Sequence, residues 1–400
     1  MNKAEMTIPH LFICPISLDL FKDPVTLCTG QTYDRSSIEK WLSTGNLTCP
    51  VTMQKLHDIS MVPNHTLRHL IDEWLKMGPQ LDPDYLKTID SLASLKHSLV
   101  SNEVTLEKKF QALKSIQSLS DELISRNSCL IQLGFLPLLF ELVFGSVESK
   151  LSQESINFAE KSLSSILKLL PILGELESLN TLKEESKLES FRILLEQGSS
   201  MMQEGLCHLI EGISSSLETK ELCAIIGENR QILQGLILLV QQTSGVPEAG
   251  IKAIYALCSL ESNRENLVQA GVINGLLMYI SNTERRENVR NLAPKAMATI
   301  EILLRVETAK DAVINNPNGV SSLVKMVFRV SDHEGSESAV RSLMVICSDS
   351  LQAREEAICR GVLTQLLLLL QSQCSVRTKT NARMLLKLLR SKWNEEQKHF

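Results

Sequence analysis

A short phrase recurs along the last three-quarters of the chain and constrains its fold more than any other feature. Each copy is a short helix-forming run that ends at a glycine and leads at once into a leucine-rich run, as at Gly271 and Gly361, and more weakly at Gly134 and Gly319. The steps from 271 to 319 and from 319 to 361 are 48 and 42 residues, and the 137 residues from 134 to 271 fit three such units. A period in the low to mid forties predicts a solenoid of stacked helices.

The form of the phrase resembles armadillo repeats more than HEAT repeats, because a glycine C-cap separates a short helix from a leucine-rich one. A short insertion is expected at 316–318, just before Gly319. Residues 145–225 are rich in Ser and Glu, which predicts degenerate repeats with helices near 156–170 and 188–195 and a mobile loop near 174–187. Residues 378–393 predict a capping helix rather than a membrane anchor, with one apolar face made by Ala382, Leu385, Leu386 and Leu389.

Composition favours a mostly α protein and excludes several classes. The chain has 400 residues, of which 44% are hydrophobic and only 4% aromatic, and its formal net charge is -5, so a basic nucleic-acid surface is not expected. The ten Cys are scattered, which argues against a disulfide framework and favours a reducing compartment, the cytoplasm or also the nucleus. The start of the chain lacks a signal-peptide pattern, and the apolar run 366–370 is too short to span a bilayer.

Two short motifs stand apart in the first 80 residues. Cys14-Pro-Ile-Ser and Cys49-Pro-Val-Thr have a hydroxyl residue where a zinc-binding pair would have its second Cys. A structural zinc site needs four Cys or His ligands, and the Cys of this segment are only Cys14, Cys28 and Cys49. We therefore expect that this segment binds no metal and that its thiols are buried. A polar network should hold the two loops together in place of the metal. The candidates for that network are Ser17, Asp19, Thr32, Asp34, Arg35 and Thr52.

The same segment predicts a small α+β unit. Residues 25–28 and 31–33 flank Thr29-Gly30 and predict a β-hairpin. A helix follows, with Asp34 or Ser36 as its cap, Ser36 and Glu39 at the spacing of a capping box, and Gly45 at its end. Its predicted apolar face holds Ile38, Trp41 and Leu42. A second helix should begin at Asn64, with an apolar face made by Leu67, Leu70, Ile71, Trp74 and Leu75.

Six blocks in this order resemble the U-box, a zinc-free relative of the RING finger, and more narrowly the plant U-box proteins with armadillo repeats. The blocks are Cys14-Pro-Ile-Ser-Leu-Asp-Leu, Asp23-Pro-Val, Thr29-Gly-Gln-Thr-Tyr-Asp-Arg, Ile38-Glu-Lys-Trp-Leu, Cys49-Pro-Val-Thr and Pro63-Asn-His-Thr-Leu-Arg. The resemblance implies a U-box at 7–81 and an all-α, superhelical armadillo-type solenoid at 82–400.

The resemblance also implies an activity, ubiquitin ligation. The U-box would recruit a ubiquitin-conjugating enzyme charged with ubiquitin, the solenoid would bind the protein substrate, and no cofactor or covalent intermediate on this chain would be needed. Related U-boxes self-associate, so a homodimer is left open. The family's docking groove maps onto Ile16, Leu18, Trp41, Pro50 and Val51.

One departure keeps alternatives open. Many RING and U-box ligases have a basic residue just after the second loop, where this chain has Met53, followed by Gln54 and Lys55. A non-catalytic adaptor therefore remains an alternative, and a zinc RING with an unusual ligand set is a second one. A nuclear-import receptor is a third, although it would need Trp-Asn ladders, and Trp393 is the only Trp of the solenoid.

Overall fold

The computed structural model describes residues 12–65, 67–68, 71, 92, 94–101, 104–122, 130–131, 134–145, 152–170, 176–242, 246–282, 292–329 and 333–396. Two compact units divide the chain, at 1–91 and 92–400, and each is described by itself. The boundary expected at 81/82 lies outside the described residues.

The first unit contains a three-stranded antiparallel sheet and one helix. Its strands are β1 (Pro24–Thr26), β2 (Thr32–Asp34) and β3 (Val62–Pro63), in the order β2-β1-β3. Val25 of β1 pairs with Tyr33 of β2, and Gly30 adopts a φ of 78° in the turn between them, which confirms the hairpin. Helix α1 (Arg35–Ser43) follows β2 directly.

Helix α1 begins where the sequence indicates but is capped differently. Asp34 occupies the N-cap position and makes no side-chain cap hydrogen bond, because its carboxylate instead accepts the backbone N–H groups of Lys22 and Asp23. The expected capping box of Ser36 with Glu39 is therefore wrong, since the Ser36 hydroxyl donates to Asp34 Oδ1 at 2.8 Å. Gly45, with a φ of 88°, follows the helix end as expected.

The second expected helix of this unit begins as the sequence indicates. Asn64 Oδ1 accepts the Leu67 N–H at 3.0 Å, and Ile71 is buried, whereas Leu70, Trp74 and Leu75 lie outside the described residues. A single core joins the sheet, α1 and this helix, with Trp41 and Leu42 packed at its edge. The core consists of Cys14, Phe21, Val25, Leu27, Tyr33, Ile38, Cys49, Leu56 and Ile71.

The second unit is helical throughout its described residues. Its elements are α2 (Leu106–Glu122), α3 (Phe135–Phe144), α4 (Gln153–Leu169), a 3-10 helix (Glu177–Lys183), α5 (Glu185–Gln197), α6 (Ser200–Ser214), α7 (Lys220–Glu228), α8 (Arg230–Gln241), α9 (Pro247–Leu257), α10 (Asn263–Ala270), α11 (Val272–Asn282), α12 (Ala293–Leu303), α13 (Glu307–Ile314), α14 (Gly319–Val327), α15 (His333–Asp349), α16 (Leu351–Cys359), α17 (Val362–Gln371) and α18 (Val376–Glu396).

These helices form repeats of three, in which equivalent helices stack. The third helices α6, α9, α12, α15 and α18 pack in succession, and so do the second helices α5, α8, α11, α14 and α17. Hydrogen bonds join positions about one repeat apart: Asn263 Nδ2 donates to Cys223 O at 3.1 Å, and the Ser281 and Ser322 hydroxyls are 2.9 Å apart. The stacking produces the continuous core that a single repeat cannot form alone.

The turn glycines confirm the repeat assignment at three of four positions. Gly134, Gly271 and Gly361 have φ values of 70°, 96° and 84°, a region that favours glycine. Gly319 was wrongly expected to be such a turn: it is the first residue of α14 and is buried, and a Cβ there would lie 1.9 Å from Val313 O. It is thus glycine because of a close backbone approach, and the turn falls at 315–318 instead.

The long gap between Gly134 and Gly271 is explained by a different kind of turn. Asn229, 42 residues before Gly271, ends α7 in an extended conformation, and its Oδ1 accepts the N–H groups of Gln231 and Ile232 at 3.1 Å. A side-chain cap replaces the left-handed glycine at this turn, so the sequence phrase is lost although the repeat is present.

The mobile loop expected at 174–187 is wrong where the structure describes it. The 3-10 helix covers most of this segment and buries Leu179 and Leu182, and α5 starts at Glu185, whereas Gly174 and Glu175 lie outside the described residues. The two helices expected in this region are present as α4 and α5. Helix α18 buries its predicted apolar face of Ala382, Leu385, Leu386 and Leu389.

Within the described residues, we find no single helix with the length and apolar character that crossing a bilayer requires. Helices α7 and α8 together reach that length and composition, but they meet at a bend of 78°.

Candidate functional site

The two Cys-Pro motifs build the same tight loop twice. In the first loop Cys14 N donates to Asp19 O at 2.8 Å, and Leu18 N donates to Cys14 O at 2.9 Å. In the second loop Cys49 N donates to Gln54 O at 2.8 Å, and Met53 N donates to Cys49 O at 2.9 Å. The first loop is residues 14–19 and the second is residues 49–54, and both are closed by main-chain hydrogen bonds.

Each loop presents a large apolar side chain on a left-handed residue. Leu18 and Met53 both have a φ of 58°, and their side chains are 75% and 70% exposed. For residues other than glycine this conformation costs about 1–2 kcal/mol, so the surrounding hydrogen bonds must compensate for it. An exposed, strained apolar side chain at the same place in two loops is unfavourable for folding alone and therefore points to a function.

The thiol of Cys49 is the centre that holds the second loop. Its Sγ lies 2.9 Å from the Tyr33 hydroxyl and accepts a hydrogen bond from the Thr29 hydroxyl at 3.4 Å. The Tyr33 hydroxyl in turn accepts the Val51 N–H at 3.2 Å. Tyr33 is fully buried, and these two hydrogen bonds link strand β2 to the second loop.

Both groups of this pair have shifted pKa values. Burial raises the pKa of the Cys49 thiol, but hydrogen bonds from Thr29, Thr52 and Tyr33 outweigh burial and lower it to about 6. Burial and the hydrogen bond to Cys49 raise the pKa of Tyr33 well above its usual range. These opposite shifts favour a proton on the tyrosine hydroxyl, which then donates to Cys49 Sγ.

Asp34 is the corresponding centre for the first loop. Its Oδ2 accepts Lys22 N at 2.7 Å and Asp23 N at 3.0 Å, while its own N–H donates to Cys14 Sγ at 3.3 Å. Burial raises the pKa of Asp34, but the backbone N–H donors of Asp23 and Lys22 and the Ser36 hydroxyl hold it below its ordinary value. The carboxylate thus joins residues 22 and 23 to the start of α1, and the backbone N–H of Asp34 joins the first loop to β2.

The six residues expected to form the polar network divide into two groups. Asp34, Arg35 and Thr32 join separate segments: Arg35 Nε donates to Asp23 Oδ2 at 2.6 Å, and Thr32 Oγ1 accepts from Asn64 Nδ2 at 3.3 Å. The other three, Ser17, Asp19 and Thr52, form contacts inside their own loops.

Sequence reasoning missed Thr29 and Tyr33 as members of the network. The signal for Tyr33 is its position one residue before Asp34 in a strand, which turns its side chain to the opposite, inward face. An inward-facing Tyr needs a partner for its hydroxyl when it is buried.

The five residues mapped as a docking groove all lie in the two loops or on α1. Leu18 and Val51 are at least half exposed, whereas Ile16 and Trp41 pack in part against the core and Pro50 is half-buried. The Trp41 indole Nε1 donates to Thr48 O at 2.9 Å and so ties α1 to the residue just before the second loop. Trp41 therefore positions this surface as well as forming part of it.

Metal binding has no candidate ligand set in the parts of the chain that the structure describes. There, His, Cys, Asp and Glu side chains form no group of three or more that could hold an ion.

Comparisons with known proteins cover both units. Residues 8–78 match the family model for the U-box domain, and residues 89–398 match the model described as the plant U-box protein ARM repeat region. U-box domain-containing protein 26 of Arabidopsis thaliana is 33% identical, over 97% of this chain and 93% of that protein. The Arabidopsis thaliana E3 ubiquitin-protein ligase PUB23 is 27% identical, over 98% of this chain and 95% of that protein.

A solved structure supports the fold of the second unit. It comes from work on a phosphorylation switch that controls the interaction between cadherin and beta-catenin, and it matches with a TM-score of 0.56 at 12% identity. The match covers 74% of this chain and 55% of the other. At this identity the likeness concerns the fold alone.

Proposed function

The chain belongs to the plant U-box proteins with an armadillo repeat region, and we propose that it is a ubiquitin-protein ligase. In this proposal the U-box binds a ubiquitin-conjugating enzyme charged with ubiquitin, and the solenoid binds the protein that receives ubiquitin. The ligase accelerates transfer by holding the thioester close to a substrate lysine, so it needs no cofactor and no covalent intermediate of its own.

The observation that carries this proposal is the pair of equivalent loops with exposed apolar tips. Leu18 and Met53 occupy matching left-handed positions, and Val51, two residues before Met53, adds a third exposed apolar side chain. Apolar side chains anchored on a rigid scaffold are well suited to bind a partner, because little conformational entropy is lost on binding.

A reconstituted ubiquitination assay tests the docking surface. We expect Leu18→Glu and Val51→Glu to abolish ubiquitin chain formation, because each places a charge on the apolar contact, and both side chains are too exposed to be needed for the core. Leu217→Glu is the matched control, because Leu217 is 88% exposed in the solenoid. Wild-type activity in both loop variants would refute this docking surface.

Ile16 and Trp41 are less decisive positions for that assay. Both pack against the core of the unit, and Trp41 also donates the hydrogen bond to Thr48 O. Replacing either with Ala would remove core contacts together with surface contacts, so a loss of activity would have two explanations.

The absence of a covalent intermediate has a separate test. Cys28 is the exposed thiol among the three Cys of the first unit, so it would be the residue to carry ubiquitin in a covalent mechanism. We expect Cys28→Ser to keep full transfer activity and wild type to show no thioester-linked ubiquitin on a non-reducing gel. Loss of transfer in Cys28→Ser would overturn the non-covalent mechanism.

A non-catalytic adaptor is the second candidate, and Met53 is the observation that favours it. The thioether cannot donate the hydrogen bonds that the basic residue found at this place in many relatives would supply, although Gln54 and Lys55 are exposed beside it. If no conjugating enzyme supports transfer by wild type, the adaptor is favoured. In that case Met53→Arg should create activity.

Localisation and self-association complete the proposal. We place the chain in the cytoplasm, and also in the nucleus, because the described cysteines are free thiols, which suits a reducing compartment. Imaging of a fluorescent fusion tests this placement. Self-association of the chain stays a prediction that light scattering on the purified protein can test.

A further inference from the structure

The second helices of the solenoid contact one another through one defined side. A Cβ at Gly275 of α11 would lie 3.2 Å from Ile237 Cγ2, so Ile237 of α8 faces the next second helix. Leu277 of α11 and Val324 of α14 hold the corresponding position, and the three side chains are only 8%, 1% and 3% exposed. This side of each second helix therefore forms the core between successive repeats.

Helix α17 presents the same side to solvent. Leu367 is the sixth residue of α17, as Leu277 is of α11 and Val324 of α14, yet it is 49% exposed. Leu363 and Leu370 lie on the same side, four residues before and three after it, and both are half-buried. Helix α17 packs against α14, α16 and α18, and the exposure of Leu367 shows that no described element covers this side.

The neighbouring helix α18 is basic on its outer side. Arg383 and Arg390 are exposed, although they stand 43 residues after Val340 and Cys347, which are buried in α15. Lys387 lies between them at helical spacing and is exposed as well. Within the described part of the chain these three cations form no ion pair.

The charge of this last repeat is not balanced. Residues 350–390 contain seven basic residues and two acidic ones. Arg360 pairs with Glu356 at 3.7 Å, and Arg377 Nε lies 3.7 Å from Glu337 Oε1 of α15. Helix α17 has no charged residue, so the three exposed cations of α18 keep an uncompensated positive charge.

We call these two sets of side chains the end face. It consists of Leu363, Leu367 and Leu370 of α17 with Arg383, Lys387 and Arg390 of α18, two helices that pack against each other. A terminal repeat needs a polar outer side for solubility, and the cations serve this purpose. The leucines do not, because they leave apolar surface in water. Solubility therefore explains the basic half of the end face but not the apolar half.

Charge and shape select one kind of occupant. A second copy of this chain would bring the same cations to the interface and be repelled. A further repeat like the internal ones would place apolar residues against Arg383 and Arg390 and bury their charges without partners. A helix that has acidic residues beside an apolar stripe fits both halves, since the leucines stand where internal repeats receive a helix.

We propose that the end face binds an amphipathic helix of a partner protein. The apolar stripe of that helix packs on the three leucines, and its Asp or Glu side chains pair with the three cations. Guanidinium groups bind carboxylates through two parallel hydrogen bonds, which selects acidic over amide side chains. This inference goes beyond the proposed function, because the ligase reaction does not require this side of the solenoid.

Selection from a display library of helices with one randomised face tests the end face. The library is first depleted on the double variant Leu367→Ser with Arg383→Glu, which removes helices that bind elsewhere, and is then captured on the full-length wild type. We expect the captured helices to share an apolar stripe flanked by Asp or Glu. Recovery of no helix, or of helices with basic flanks, would overturn the assignment.

The apolar half is tested by a pair of neighbouring substitutions. A fluorescent captured helix should bind Leu367→Ser at least about tenfold more weakly than wild type, because an apolar contact is lost. Leu368→Ser is the matched control, since Leu368 is also exposed but is turned by about 100° around the same helix, and it should bind like wild type. Equal binding to wild type and Leu367→Ser would refute the apolar contact.

The basic half is tested by a charge swap. Arg383→Glu should weaken binding at least about tenfold, because attraction becomes repulsion, whereas Arg230→Glu, at an exposed position of α8, should not. A helix with Lys in place of its acidic residues should bind Arg383→Glu better than wild type, which a general loss of folding would not produce. Without this reversal, the end face does not select acidic helices.

Two other occupants would give different results. Phosphatidylserine vesicles that bind wild type but not Leu367→Ser would assign the end face to a membrane and overturn the proposal. A wild-type dimer that becomes a monomer in Leu367→Ser, measured by light scattering, would assign it to a second copy and overturn the proposal as well.

Discussion

Tyr33 is the residue whose replacement tests most directly how a metal-free loop is held. Tyr33→Phe removes the hydroxyl that donates to Cys49 Sγ over 2.9 Å and accepts the Val51 N–H over 3.2 Å. Each hydrogen bond contributes about 0.5–1.5 kcal/mol, so the U-box should lose about 1–3 kcal/mol of its free energy of unfolding. The phenyl ring still fills the core position, so the packing stays the same.

Hydrogen exchange read by mass spectrometry on the full chain measures this loss within the U-box. A change of about 1–3 kcal/mol speeds exchange of the protected U-box amides roughly 5- to 150-fold. Tyr279→Phe is the control: the Tyr279 hydroxyl accepts the Leu292 N–H at 3.3 Å in the solenoid, so U-box amides should exchange as in wild type. Unchanged U-box exchange in Tyr33→Phe would refute the role given to the hydroxyl.

The pH dependence provides an independent check with a definite sign. The pKa of the Cys49 thiol falls from 9.0 to about 6 in the folded protein, so its contribution is full above pH 9 and is lost as the pH falls through 6. At 1.36 kcal/mol per unit this is at most about 4 kcal/mol. Tyr33→Phe removes one donor to the thiolate, so the substitution should cost more at pH 8.5 than at pH 5.5. An equal cost at both values would contradict a thiolate at Cys49.

Three further predictions follow from the geometry. Met53→Arg should raise the rate of ubiquitin transfer in the reconstituted assay, because the hydrogen-bond donors that it adds outweigh the apolar contact that it removes; an unchanged or lower rate would contradict this. Gly271→Ala should destabilise the solenoid by about 1–2 kcal/mol in urea unfolding because its φ is 96°, whereas Gly212→Ala, inside α6 and free of clashes, should stabilise it slightly. EDTA should leave the melting temperature and transfer activity unchanged, and stoichiometric zinc in the purified protein would refute the metal-free loops.

The repeat architecture could be predicted in detail where the local sequence decides the backbone. Gly271 and Gly361 stand in left-handed turns because a side chain at these positions would be strained. The apolar faces of α9, α15 and α18 follow from their helical spacing alone. Gly319 shows the limit of this reasoning, since glycine is required there by the carbonyl of Val313, and sequence alone does not distinguish a close approach from a turn.

Local sequence also failed to predict the structure at 174–187 and at Asn229. A segment rich in polar residues reads as a loop, but Leu179 and Leu182 are drawn into a core formed by neighbouring repeats. Asn229 supplies a side-chain cap that replaces the glycine turn.

The sequence by itself determined the family, the two-part organisation and the lack of RING ligands, because motif spacing and helical periodicity depend on residues close together in the chain. Tertiary structure alone decided that Tyr33 and Thr29 hold Cys49, that Leu18 and Met53 are equivalent left-handed tips, and that Leu179 and Leu182 are buried in the solenoid. Those contacts join residues far apart in sequence, and their energies depend on burial and direction, which only the folded chain fixes.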